Sequence, residues 1–298
     1  MTRALDWNVD GLDWPHRQHS SFVEAGGVRW HVQRMGRGPV LLLVHGTGAA
    51  SHSWRDLMPL LAQDFTCIAM DLPGHGFSSM PSGALLSLDG MTHALDALLK
   101  RLQLRPDLIA GHSAGAAIAA QLCLHEQVNA DAGLALNGAL LPFAGLAGVV
   151  LPQAAKVMAA NSLAARLFAW GAANATAVNR LVGSTGSRLD ARGQALYARL
   201  VGNPVHVAGA LGMMARWNVA PLQARLPELG TRLHLMAGAL DRAVPMAQSI
   251  RVQQSVPGAS LLRLAHAGHL AHEETPGPVA AWIRKVQRAN VDGLARRA

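Results

Sequence analysis

The sequence has little cysteine and almost no lysine, and each scarcity closes off a class of protein. Only two cysteines, Cys67 and Cys123, occur in 298 residues, both in apolar periodic stretches. They read as buried thiols of a reducing compartment and not as a disulfide framework. Lysine occurs only at positions 100, 156 and 285, so the formal charge of +8 is nearly all arginine. The basic residues are scattered, without the dense block or interleaved aromatics that a nucleic-acid surface needs. They read as an ordinary solvated surface that would also attract an anionic substrate or an acidic membrane. No G-x-G-x-x-G or Walker loop follows a strand, and the histidines do not gather at ligand spacing; His269, His272 and Glu273 come nearest. No nucleotide, metal or other cofactor is therefore expected. Residues 1–17 lack an apolar core after their basic residue, so no secretory signal is read and a cytoplasmic protein is expected. The one long apolar run, 132–151, is broken by Asn137, Pro142 and several glycines, and its first half reads as a buried strand rather than a membrane span.

What the sequence does have is apolar residues, 50% of the chain, enough for one large α/β core carrying an insertion. Strands are predicted at 20–25 and 28–34 around the Gly26-Gly27 turn, then at 40–44, 65–70, 107–110, 134–136, 233–237 and 260–264. Helices are predicted at 54–62, 87–104, 116–124 and 276–286. The alternation implies an α/β fold, a mostly parallel eight-stranded sheet with helices on both faces. Between 141 and 225 there is no strand signal, only helical runs at 149–160, 163–170, 175–182, 191–201 and 205–217. The expected division is a core over 1–140, a helical cap over 141–225, and the core again over 226–298. Residues 1–19, with Trp7 and Trp14, read as a poorly structured leader.

The chemistry centres on Gly111-His112-Ser113-Ala114-Gly115, placed where a strand turns into a helix. A G-x-S-x-G turn lifts the serine hydroxyl clear of the sheet edge, and its glycines let strand and helix pass closely. Serine needs a base, and the base needs an orienting acid. Asp241 follows the strand at 233–237 and His269, after Gly268, follows the strand at 260–264, which gives the order serine, acid, histidine. Ser113 is assigned as nucleophile, His269 as general base and then acid, and Asp241 as the group orienting the imidazole. The backbone N–H groups of Thr47, in the glycine-rich turn after the strand at 40–44, and of Ala114 are assigned to the oxyanion hole. His45 reads as a brace of that turn. Asp71 and His75 lie too early for the order, and His112 sits inside the elbow itself.

These residues, with His45 to Gly48 and the Asp71 to Ser78 loop, resemble the α/β-hydrolase superfamily over the chain after residue 20. Within it the sequence is most similar to the magnesium-chelatase accessory proteins of bacteriochlorophyll biosynthesis. That closer likeness is carried by residues 13–15, 22–27, 30–33, 46–50, 53–57, 137–143, 209–214 and 268–274. The resemblance implies a role near magnesium insertion into protoporphyrin, without ATP-driven chelation. It implies a hydrolase acting on an ester or related acyl bond of a small hydrophobic substrate; the alternative it leaves open is a non-catalytic accessory protein that binds a tetrapyrrole. The partners it implies are magnesium chelatase or a membrane surface. Met213, Met214, Trp170 and Trp217 could line a tetrapyrrole site in the cap, though helix packing explains them equally. C–C bond hydrolysis uses much the same trio and also stays open.

Overall fold

A computed structural model describes residues 3–125, 128, 130–142 and 174–295. Eight strands form one sheet: β1 (Ser20–Ala25), β2 (Val28–Met35), β3 (Val40–Val44), β4 (Thr66–Met70), β5 (Leu108–His112), β6 (Ala132–Leu136), β7 (Leu233–Gly238) and β8 (Ser260–Leu264). Their order is β1-β2-β4-β3-β5-β6-β7-β8. β1 and β2 run antiparallel to their neighbours, and every pair from β4 onward is parallel. Strand periodicity sorts the core into two layers. Leu42 and Val44 face one layer with Ile109, Leu95 and Ile118, while Leu41 and Leu43 face the other with Trp54, Leu57 and Ile283. Each fully buried side chain of this kind stabilises the fold by about 1.5–3 kcal/mol.

The described α-helices are α1 (Met58–Leu61), α2 (Leu88–Leu102), α3 (Ala114–Cys123), α4 (Ala175–Ser184), α5 (Ala191–Val201), α6 (Pro204–Arg216), α7 (Ala220–Arg225), α8 (Met246–Ser255), α9 (Ala271–Glu274) and α10 (Pro276–Ala295). Ser87 caps α2 by accepting from the Gly90 N–H at 3.1 Å. The helix expected over 54–62 is a 3₁₀ turn at Ser51–Trp54 followed by the short α1, whose second residue is Pro59. α8 gave no clear sequence signal because its apolar residues are few, with Gln248 and Ser249 among its buried positions. The described part of 141–225 contains helices and no strand; the runs expected at 149–160 and 163–170, and Trp170 with them, lie outside the described residues. Among the described residues no helix is long and apolar enough to cross a membrane.

The N-terminal segment differs from the loose leader expected. Trp14 is only 2% exposed; its indole N–H donates to Ser51 Oγ at 3.2 Å and its ring meets Phe77 edge-on at 4.9 Å. Trp7 packs on Phe22, His31 and Phe77. The sequence pattern there is aperiodic, which hid the fact that its tryptophans fill a gap over the sheet edge. Beneath them, His31 Nδ1–H donates to Asp71 Oδ2 at 2.9 Å, the Ser20 hydroxyl donates to His31 Nε2 at 3.0 Å, and Gln33 donates to Ser20 Oγ at 3.1 Å. This chain staples the first two strands to the loop after β4. The segment also reaches the helices between β6 and β7, where Arg199 of α5 forks onto both Asp13 carboxylate oxygens at 2.7 and 2.9 Å and Trp14 clusters with Leu196 and Leu200.

Truncating Trp14 to alanine is expected to cost about 3–5 kcal/mol, as for other large core aromatics. Urea unfolding measures it, and a loss below about 1 kcal/mol would return the segment to the status of a loose leader.

Candidate active site

Ser113 joins β5 to α3 at φ 52°, ψ −119°, a backbone conformation that L residues avoid and that costs of order 1–3 kcal/mol. The turn is held by the Ser113 N–H on Leu136 C=O at 3.1 Å, and by Ser113 C=O accepting from Ala116 and Ala139. It also needs two glycines. A Cβ on Gly111 would collide with the Gly115 carbonyl, and one on Gly115 with the carbonyls of Val44 and His45. The side chain of Ser113 is thereby raised at the carboxyl end of the central strands.

His269 and Asp241 come from the loops after β8 and β7. His269 Nδ1–H donates to Asp241 Oδ2 at 2.8 Å, which leaves Nε2 as the ring's acceptor. Asp241 is 7% exposed and fully engaged. Oδ2 also accepts from Asn137 Nδ2 at 2.6 Å, and Oδ1 accepts from the backbone N–H groups of Ala243 and Val244, each at 2.8 Å. Ser113 and His269 line one cavity; among the described residues no hydrogen bond joins them, a separation common in ligand-free sites. The backbone N–H groups of Thr47 and Ala114 have no protein acceptor among the described residues. Gly46 packs against Ser113 Cβ, so the Thr47 turn runs beside the serine.

The cavity measures about 290 Å³, near the lower end of small-molecule sites. Thr47, His112, Ser113 and His269 form its floor, and Val182, Val201, Val207 and Leu211 from α4, α5 and α6 form its wall. Leu181 and Met214 line it too and are 44% and 40% exposed, which marks the rim. Met213 is fully buried against Thr47, whose hydroxyl donates to its sulfur at 3.3 Å, and Trp217 packs against the core.

Several residues support the site, and for Asn137, Thr185, Ser187, Arg55 and Tyr197 the sequence offers no role. Asn137, at φ 48° after β6, holds the acid, although in the sequence it reads only as a break in an apolar run. Ser187 Oγ accepts from the Leu270 N–H at 2.8 Å, and Thr185 C=O accepts from the Arg242 N–H at 3.0 Å, so one strand of chain after α4 ties both the histidine and the acid loops. His112 Nε2–H donates to the His269 carbonyl at 2.9 Å. Arg55, buried, pairs with Glu273, which also accepts from the Tyr197 hydroxyl at 2.8 Å; burial pushes the Glu273 carboxyl up to about 7, against the pull of Arg55. Among the described residues no set of three histidine, cysteine or acidic side chains converges as a metal site.

His272 lies tilted between Trp54 and His112, with ring centroids 4.5 Å from each; neither of its nitrogens has a hydrogen-bond partner among the described residues, and the Glu273 carboxylate stands 4.0 Å from Nε2. Burial lowers its pKa from 6.5 to about 3. Between those values the unfolded chain takes a proton that the native chain refuses, so stability falls as pH drops, by about 1.4 kcal/mol per unit for this one group. His272→Phe keeps an aromatic ring at this place and removes the titratable group. Unfolding midpoints at pH 7 and pH 4.5 should separate less in this variant than in wild type; an unchanged separation would show that His272 does not resist protonation.

Comparison with known proteins agrees with this architecture. Residues 39–276 match the family model described as the alpha/beta hydrolase fold. The chain is 40% identical over 283 residues to the magnesium-chelatase 30 kDa subunit of Rhodobacter capsulatus, covering 94% of this chain and 97% of that one. Among solved structures, an alpha/beta hydrolase fold protein from Burkholderia ambifaria superposes with a TM-score of 0.75 at 23% identity, over 95% of this chain and 99% of that one. A lipase described as putative from Acinetobacter baumannii gives 0.76 at 16% identity over 92% of each chain. With the strand order, the strained serine turn and the family model in agreement, the chain belongs to the α/β-hydrolase fold family.

Proposed function

We propose that the protein is a serine hydrolase acting on an ester or related acyl bond of a hydrophobic substrate. The observation that carries this reading is the convergence on one apolar cavity of a serine at φ 52° and a histidine whose other nitrogen is committed to a buried acid. Because Asp241 accepts a hydrogen bond from Nδ1–H and so keeps that proton on Nδ1, His269 Nε2 is free to accept the Ser113 proton as Oγ attacks the carbonyl carbon. The oxyanion that forms would lie on the N–H groups of Thr47 and Ala114, each such donor contributing about 3 kcal/mol to the transition state. His269 then returns the proton to the leaving group, and water repeats the sequence to release the acid. An aliphatic cavity wall suits an apolar acyl group.

The relative named as a magnesium-chelatase subunit supports placing this chemistry near a magnesium-chelatase step, with chelatase as neighbour; that the step belongs to bacteriochlorophyll synthesis, in the cytoplasm or beside a membrane surface, is part of the same proposal. The same name supports a second reading, in which the scaffold binds a tetrapyrrole and cleaves nothing.

Intact-mass measurement with a fluorophosphonate probe tests the first reading. Wild type and Ser20→Ala should gain one adduct, Ser113→Ala and His269→Ala none, and Asp241→Asn should react slower by about 10⁴-fold. A folded wild type that stays unlabelled would sink the hydrolase reading. Saturable quenching of tryptophan fluorescence by protoporphyrin in that same sample would then favour the second.

A further inference from the structure

The turn carrying Thr47 is held at two carbonyls. Gly46 C=O accepts from His45 Nδ1–H at 2.8 Å; because this carbonyl shares a trans peptide with the Thr47 N–H, fixing one aims the other in the opposite direction. Gly48 C=O accepts from His206 Nε2–H at 3.1 Å. Both imidazoles are anchored on the loop after β4, His45 Nε2 accepting from the Leu72 N–H at 2.8 Å and His206 Nδ1 from the Gly76 N–H at 3.0 Å. The partners fix both tautomers, since an N–H can only donate and a carbonyl only accept.

The two pins differ in origin. His45 belongs to the turn itself, whereas His206 comes from α6, about 160 residues further along the chain. Asn203 caps α6 by accepting from the N–H of His206, and the helix approaches so closely that a Cβ on Gly209 would collide with the Gly74 carbonyl. Gly48 has φ +75°, and a Cβ built on it would meet nothing within 4 Å. No side chain therefore packs at Gly48 itself; the turn is closed by the Ala49 N–H on Gly46 C=O at 3.2 Å, and the side-chain hydrogen bond that reaches Gly48 is the one from His206. Burial brings the His206 pKa down to about 4, so the ring is neutral and keeps one donor and one acceptor at neutral pH.

We propose that His206 is a positioning residue for the oxyanion hole, holding the Thr47–Gly48 turn from the inserted helices so that these helices complete the catalytic apparatus. The proposal rests on the assignment of the Thr47 N–H to the oxyanion hole. In the proposed reaction the His206 proton is not transferred; the ring sets the direction of a donor, and an ångström of error in such a group costs on the order of a hundredfold in rate.

Two near-isosteres separate the arms of the imidazole. His206→Gln places an amide N–H where Nε2 was and keeps the Gly48 bond, whereas His206→Asn places a carbonyl where Nδ1 was and keeps only the Gly76 bond. The rate of fluorophosphonate acylation at Ser113 should fall at least about tenfold in His206→Ala and His206→Asn, and stay within about threefold of wild type in His206→Gln. Hydrogen–deuterium exchange of the 46–49 segment in the same four proteins should follow the same order. Equal behaviour of the Gln and Asn variants, in rate or in exchange, would overturn the proposal, because a residue that only packs would not distinguish them. The exchange measurement does not need a reactive serine. If wild type fails to label, the hydrolase reading falls, and exchange alone decides whether His206 holds the turn.

Discussion

Everything at this site depends on keeping one serine in a backbone conformation it would not choose. The φ of 52° at Ser113 is tolerable only because β5 and α3 are clamped on either side of it. Leu136 and Ala139 bond its peptide groups from the neighbouring strand and the loop beyond. The two glycines admit crossing backbones where any side chain would force them apart. Strain of this kind persists when the surroundings over-determine it, and a parallel sheet covered on both faces is well suited to do so. The same sheet delivers the loops after β3, β7 and β8 to one edge, where donors, acid and histidine gather.

Around the serine the chain uses neutral imidazole as a structural element. His45, His112 and His206 each spend a ring N–H on a buried carbonyl. For His45, His112 and His206 burial disfavours the charged form. A neutral imidazole is a rigid spacer with a donor at one side and an acceptor at the other. It can therefore join two loops that have no strand or helix in common. The cost is borne in acid, where the native chain takes up these protons less readily than the unfolded one.

The strands, the alternation with helices, and the order of Ser113, Asp241 and His269 were legible in the sequence because each rests on local pattern. Val40–Val44 is a pure apolar run, and the elbow and the two later loops each follow such a run. What escaped notice rests on partners distant in sequence. Asn137 gains its meaning from Asp241, 104 residues away. His206 gains its own from Gly48 and Gly76, and Ser187 from Leu270. The N-terminal tryptophans looked unstructured because burial in an irregular segment leaves no period to read. The stretches 53–57, 209–214 and 268–274 carried likeness without chemical reason until Arg55, Gly209 and Glu273 were placed against their neighbours.

The grip of the first twenty residues on α5 bears on how a substrate could reach Ser113. Asp13 clasps Arg199, Trp14 fills the space beside Leu196 and Leu200, and the same α5 contributes Val201 to the cavity wall. Swinging α5 outward as a hinged door would tear out a buried indole along with an ion pair, at a cost far above that of rotating a side chain. Traffic is cheaper at the rim, where Leu181 and Met214 are already wetted and need only change rotamer. Among the described residues the cavity therefore has a fixed wall on the α5 side and a pliable one at Leu181 and Met214.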